Sequence, residues 1–188
     1  MPGTTANKLR PLDPGLLHAR LQLPPAHAAL LDEPGGPGRL LDRLVERALL
    51  IEATRLLAYA LPPREAVWWG CMCVAHAAPV ALGETEQGAL AAAEAWVRHP
   101  DDRTRREAAL AAAAAGYQAP GAWPALAAYW SRPAVSNDMR GGRGVETAIA
   151  RAVARDHGPR EAARLTSFIA SGRDIAAGGA GRLAPAAG

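Results

Sequence analysis

The sequence contains few of the residues that build β-strands. Among its 188 residues there are three tyrosines and one phenylalanine, and valine, isoleucine and threonine are scarce. No stretch shows the period-two alternation of polar and apolar residues that a half-buried strand requires. Alanine, the best helix former, supplies much of the hydrophobic content of 49%. The composition therefore predicts an all-α protein without a sheet: a compact bundle of about seven helices, or a stack of helical hairpins.

Cysteines, a leader peptide and long apolar runs are also lacking. The only two cysteines, Cys71 and Cys73, stand two positions apart, and a bond between them would distort a helix. Residues 1–10 contain no apolar core of the kind that a signal peptide needs. No run has the roughly 18 consecutive apolar residues of a membrane span. We therefore expect a cytoplasmic protein without a membrane segment.

Lysine is nearly absent, because Lys8 is the only one beside twenty arginines in a chain of net charge +3. From Arg132 onward, nine arginines stand against five acidic residues. Such a surplus could meet a phosphate backbone, so nucleic-acid binding through the C-terminal helices is the alternative function. The arginines mostly alternate with acids, however, which favours a solvated helix surface over a nucleic-acid site.

Prolines, glycines and apolar periodicity divide the chain into three parts. Residues 1–38 hold seven prolines and end in Pro34-Gly35-Gly36-Pro37-Gly38, which predicts a flexible arm with one short helix around residues 16–31. Residues 39–176 are expected to form one helical domain, and residues 177–188 a disordered tail. Helices are predicted over residues 39–60, 63–77, 84–99, 101–115, from 120 or 124 to 130, 145–157 and 159–176. A mobile loop is predicted at residues 131–144, which contain three glycines and no apolar periodicity.

No set of residues in the sequence resembles an active site. Cys71, Cys73 and His76 are of the types that bind zinc, but helical residues two apart diverge by about 200°, so both thiols cannot reach one ion. Gly141-Gly142-Arg143-Gly144 follows no strand and lacks the lysine of a phosphate-binding loop. No serine or cysteine stands in a nucleophile motif. We expect no catalytic residue, no metal site and no cofactor.

The run Leu61-Pro62-Pro63-Arg64-Glu65-Ala66-Val67-Trp68-Trp69 is the most distinctive part of the chain. Proline suits the first turn of a helix. Glu65 would lie near the positive end of the helix dipole, and Arg64 could neutralise the negative charge of a partner there. Adjacent helical residues point about 100° apart, so the two tryptophans cannot lie on the same face of the helix. We predict that Trp68 is buried and that Trp69 is partly exposed. Arg64 and Trp69 are therefore the candidate partner-binding residues.

The other distinctive side chains are expected to be structural, because an alanine-rich fold needs large residues to fill its core. They are Glu65, Trp68, Trp96, Trp123 and Trp130.

The run from Ala60 to Cys71 resembles the signature of a small bacterial family, the domain of unknown function numbered 6931. Four more segments match it: Ala93-Glu94-Ala95-Trp96-Val97, Ala122-Trp123 with Ala128-Tyr129-Trp130, Phe168-Ile169 and Asp174-Ile175-Ala176. The likeness covers roughly residues 45–178. The resemblance implies a cytosolic helical protein, often encoded among type VI secretion genes near spike components, and it supplies no catalytic residues.

These expectations combine into one functional hypothesis. We expect a non-enzymatic protein-interaction module rather than an enzyme. The resemblance implies an accessory adaptor or chaperone whose protein partner is a component of a type VI secretion spike or an effector.

Overall fold

The computed structural model describes residues 7–78, 82–132, 139–155 and 160–183, and these residues form helices and no strand. The all-α prediction is confirmed, with nine α-helices and one 3-10 helix in the described residues instead of about seven helices. Their bounds are α1 Pro14–Leu21, the 3-10 helix Pro25–Asp32, α2 Gly36–Glu46, α3 Leu50–Ala60, α4 Pro63–His76, α5 Glu84–Arg98, α6 Asp102–Ala115, α7 Ala122–Trp130, α8 Arg140–Ala154 and α9 Glu161–Ala176. None of these helices is both long and apolar enough to cross a membrane.

Helix α4 lies at the centre of the bundle. It contacts α3, α5, α7, α8 and α9, and it is apolar on most of its surface, as a helix surrounded by others must be. Trp69, Tyr59 and Phe168 are the largest fully buried side chains of the described residues. The run from Leu61 to Trp69 is thus the architectural centre of the fold.

Helices α5, α6 and α7 pack as consecutive neighbours through alanine-rich faces. Ala89 and Ala93 of α5 and Ala108 and Ala112 of α6 have no exposed surface, and such small side chains let two helix axes approach closely. Asp101 caps the start of α6, because its carboxylate accepts a hydrogen bond from the backbone N–H at position 104.

The long helix predicted over residues 39–60 is divided into α2 and α3. Ala48 has a left-handed backbone (φ 56°) between them, and the N–H of Leu49 donates to the carbonyl of Leu44 at 2.9 Å. This corner folds α2 back onto α3, so that Leu41 of α2 and Leu56 of α3 both lie in one core. No glycine or proline marks the corner, which is why the sequence pattern suggests one continuous helix.

The described part of the expected flexible arm packs on the domain. Leu21 is 1% exposed and Leu30 is 5% exposed, and both belong to the main core. The N–H of Lys8 donates to the carbonyl of Ala176 at 2.8 Å, and the N–H of Arg10 donates to that of Ala60 at 2.7 Å. The leucines between the prolines anchor this segment to the domain. Their contribution is hard to recognise in the sequence, because the many prolines suggest a flexible arm.

Of the predicted loop at residues 131–144, residues 133–138 lie outside the described part of the structure. The remainder differs from the prediction, because α8 begins at Arg140 instead of residue 145. Its glycines are helical and permit close packing: a Cβ at Gly144 would lie 2.8 Å from Cβ of Ala127 on α7. Of the predicted tail, residues 177–183 are described, and the N–H of Gly181 donates to the carboxylate of Asp174 at 2.7 Å.

Candidate functional site

A proline corner joins α3 to α4 and exposes the start of the central helix. Pro62 has an extended backbone (φ −56°, ψ 150°) and Pro63 is the first residue of α4, a position at which a missing N–H costs nothing. No side chain of the described residues caps this end of α4. Glu65 lies in the first turn, where the helix dipole favours a negative charge.

The two charged side chains of this turn have different partners. The Nε of Arg64 donates to the carbonyl of Val97 at the end of α5, at 3.0 Å, and the side chain is otherwise exposed. Glu65 pairs with Lys8 of the N-terminal segment at 3.3 Å. One donor of Arg64 therefore holds the side chain in place, while its two terminal nitrogens make no hydrogen bond to the described residues.

A cavity of about 320 Å³ opens beside this corner. All six residues from Leu61 to Ala66 line it. The rest of its wall comes from several elements of the fold: Arg10, Ala58, Tyr59, Trp96, Pro100, Ser131, Arg132, Met139, Gly141 and Gly142. The proline corner thus forms one side of a concave surface to which α3, α5 and α8 also contribute.

A second cavity, of about 550 Å³, adjoins the first. The two share Trp96, Pro100, Ser131 and Arg132 as common walls, and the second continues to Asp101, Asp102 and Arg105 at the start of α6. We call the two cavities together the signature groove. It crosses the end of α5 and connects the start of α4 with the start of α6.

The first cavity of the signature groove is rich in cations. Arg10, Arg64 and Arg132 line it together with one carboxylate, that of Glu65. The Nη2 of Arg10 donates to the carbonyls of Tyr59 and Leu61 at 3.3 and 3.4 Å. Burial lowers the pKa of Arg10, and the charge of Glu65 opposes that shift.

The lining of the groove offers cationic donors and apolar surface rather than a nucleophile with a base. The one serine among its described lining residues, Ser131, is 8% exposed, and its hydroxyl donates to the carbonyl of Ala127 at 2.8 Å. No histidine or cysteine is among the described lining residues. The arrangement can bind and orient a negatively charged group.

The predicted roles of the paired tryptophans are reversed in the structure, so the prediction for both residues is wrong. Trp69 has no exposed surface, and its Nε1 donates to the carbonyl of Phe168 in α9 at 2.9 Å. Trp68 is half-buried, and its Nε1 donates to the carbonyl of Ala180 at 3.1 Å. The reason is the position of α9: Gly172 lets this helix approach Trp69, since a Cβ there would lie 3.2 Å from Cε2 of the ring.

The other tryptophans divide between core and surface. Trp96 is 4% exposed and also lines both cavities. Trp123 and Trp130 are half-buried and pack against the edge of the core. The Nε1 of Trp123 donates to the carbonyl of Tyr117 at 3.0 Å, and the guanidinium of Arg151 lies 5.6 Å above its ring. Of the candidate partner-binding residues, only Arg64 therefore lies on an accessible concave surface, while Trp69 does not.

The cysteines of α4 are buried among apolar side chains. Burial raises the pKa of both the Cys71 and the Cys73 thiol, which disfavours the reactive thiolate. Burial likewise lowers the pKa of His76. Within the described ranges, no three His, Cys, Asp or Glu side chains lie close enough together to hold a metal ion.

A buried ion pair is the main polar feature that the sequence does not reveal. Glu86 is 8% exposed, and both of its carboxylate oxygens accept hydrogen bonds from Arg155 at 2.6 Å. The same carboxylate accepts the N–H of Gly121 at 2.7 Å. Because these partners stand 69 and 35 positions away from Glu86, no local pattern could indicate them. The group joins α5, α7 and α8.

Several C-terminal arginines are held by partners within the fold. Arg173 pairs with Asp42 at 2.7 Å, Arg155 pairs with Glu86, and Arg151 donates to Gln118 at 3.2 Å. Carboxylates within the fold therefore neutralise Arg155 and Arg173, whereas Arg151 is held by an uncharged side chain.

Comparison with known proteins gives one match. A model of the family of unknown function DUF6931 matches residues 40–176. No curated protein and no solved structure shows a significant similarity to the chain. The match covers most of the helical domain, from α2 through α9, including the walls of the signature groove except Arg10. The chain belongs to the family of unknown function DUF6931.

Proposed function

We propose that the protein is a non-enzymatic interaction module and that the signature groove is its contact surface for a partner protein. The observation that carries this proposal is the position of the groove. Its first cavity is built from the whole run Leu61–Ala66 and from Trp96, which are the most distinctive residues of the chain. Packing alone does not account for a concave, cation-lined surface at this point, because core residues need no solvent-facing charge.

The chemistry of the groove suits binding better than catalysis. The prolines supply rigid apolar surface, and Arg64 and Arg132 supply charged donors. Aromatic and arginine side chains dominate the energetics of protein interfaces. The nucleic-acid alternative has less support, since Arg155 and Arg173 are paired with carboxylates within the fold.

The family resemblance suggests where to look for the partner. We propose an accessory role, as an adaptor or chaperone, with a component of a type VI secretion spike or an effector as the first partner to test.

Co-purification from the native host would test the proposal. The tagged wild type is compared with the double variant Arg64→Glu/Arg132→Glu and with the control Arg47→Glu, an exposed arginine at the corner between α2 and α3. We expect a defined set of proteins with the wild type and the control, and its loss with the double variant. Equal recovery with all three forms, or a wild type that elutes alone, would contradict the proposal.

A further inference from the structure

The arginines of the first cavity keep most of their donors available. A guanidinium carries five N–H donors. Arg64 uses its Nε–H for the carbonyl of Val97, and Arg10 uses Nη2 for two carbonyls. Arg132 makes no hydrogen bond or ion pair with any residue of the described ranges, and it is exposed. Among the described residues, Arg64 is therefore held in place but has no acidic partner, and Arg132 has neither a hydrogen-bond partner nor an acidic partner.

The carboxylates among the described residues of the groove do not balance these cations. Glu65 is the only carboxylate among the described residues of the first cavity, and it already pairs with Lys8 at 3.3 Å. In the second cavity, Asp102 pairs with Arg105 at 3.0 Å, and Asp101 accepts the N–H of Thr104 at 2.8 Å as the cap of α6. The excess of positive charge is thus confined to the first cavity and to its border at Arg132.

The groove continues on both sides of this charged border. Pro62, Pro63 and Met139 provide apolar surface in the first cavity, and Pro100 does so on the wall that the two cavities share. Because described lining residues of the groove lie on both sides of Arg132, the groove suits an acidic side chain inside a segment better than a carboxylate at its end.

We infer that the signature groove binds an extended segment of a partner protein in which an Asp or Glu side chain stands next to apolar residues. The guanidinium groups of Arg64 and Arg132 hold the carboxylate, and the prolines and Met139 contact the apolar neighbours. This inference rests on the proposed function and adds the chemistry of the ligand. Charge-assisted hydrogen bonds from arginine to a carboxylate are among the strong ones in proteins.

Selection of random linear peptides displayed on phage, with the full chain as bait, would test the inference. We expect the selected peptides to share an acidic residue next to apolar ones. Synthetic versions should bind the Arg64→Gln and Arg132→Gln variants about tenfold more weakly or worse, since each variant loses charged hydrogen bonds. The control Arg47→Gln should bind like the wild type, and circular dichroism should show that all variants are folded.

A charge exchange makes the test specific. Replacing the shared acid of the peptide by lysine should abolish binding to the wild type, and the Arg132→Glu variant should restore it at least in part. Peptides that bind the groove with no acidic preference and no loss in either glutamine variant would overturn the inference while leaving the proposed function intact. A selection that yields no peptides, or only peptides indifferent to every change in the groove, would count against both.

Discussion

Because Trp69 is buried and Trp68 is only half-buried, the two residues should contribute differently to the stability of the protein. Trp69 has no exposed surface, and its indole N–H donates to the carbonyl of Phe168 at 2.9 Å. The Trp69→Phe variant loses this hydrogen bond, which contributes about 1 kcal/mol. The smaller ring leaves a void of a few tens of Å³ between α4 and α9, which costs about 1 kcal/mol more at roughly 24 cal/mol per Å³. We therefore expect the free energy of unfolding to fall by about 2 kcal/mol.

Trp68 provides the matched control on the same helix. It is half-buried and donates to the carbonyl of Ala180 near the end of the described chain, so Trp68→Phe should cost about 1 kcal/mol or less. Urea denaturation followed by far-ultraviolet circular dichroism measures both, because that signal does not depend on the replaced fluorophore. For a chain of this size the melting temperature should fall by roughly 4–8 °C for Trp69→Phe. A loss with Trp68→Phe that equals or exceeds the loss with Trp69→Phe would refute the assignment of the faces of α4.

Three further predictions test the packing of the bundle. Gly144→Ala should lower the free energy of unfolding by about 1–3 kcal/mol, because the new Cβ would lie 2.8 Å from α7. Gly88→Ala lies on the exposed face of α5 with no atom within 4 Å of the new Cβ, and it should raise the free energy of unfolding by about 0.5–1 kcal/mol. Thermal melts of both variants distinguish the two sites. Glu86→Gln should cost about 3 kcal/mol, because it removes the charge partner of Arg155, whose side chain is only 21% exposed. Glu94→Gln breaks an exposed pair on the same helix and should cost about 0.5 kcal/mol or less in the same urea titration. Burial raises the pKa of the two cysteine thiols of α4. They should therefore not react with Ellman's reagent at neutral pH until the protein unfolds. Rapid modification of the native protein would show that α4 is not enclosed.

The helical fold was predictable from local properties of the sequence. The period of the apolar residues, the cap at Asp101 and the end of α6 at Gly116 depend only on neighbouring residues. The proline corner before α4 was predictable for the same reason. These features follow from backbone chemistry that does not change with tertiary context.

The features that could not be predicted from the sequence all depend on packing between distant segments. The sequence requires the two tryptophans to point in different directions, but only the position of α9 decides that Trp69 is the buried one. The glycines after Arg140 suggest a loop, yet they are helical because α8 packs closely against α7. Likewise, the left-handed turn at Ala48 is favoured by the burial of α2 and α3 rather than by alanine itself.

The candidate site was predictable only in part. Arg64 could be singled out because it stands beside two prolines at a helix start, and the structure places it on the wall of the signature groove. Arg132 and Arg10 have no comparable local signal, since they come from the end of α7 and from the N-terminal segment. Three arginines reach one cavity only because the fold brings residues 10, 64 and 132 together.

Site-specific photo-crosslinking in the native host would test most directly whether the signature groove is the partner-binding surface. A benzophenone amino acid is placed at Pro63 or Pro100, which are exposed and line the groove, and at Leu110 as the control, which is 73% exposed on α6 and does not line the groove. The account predicts a discrete adduct with one partner protein from both groove positions and none from the control. Adducts of equal yield from Leu110, or no adduct from either groove position, would contradict it.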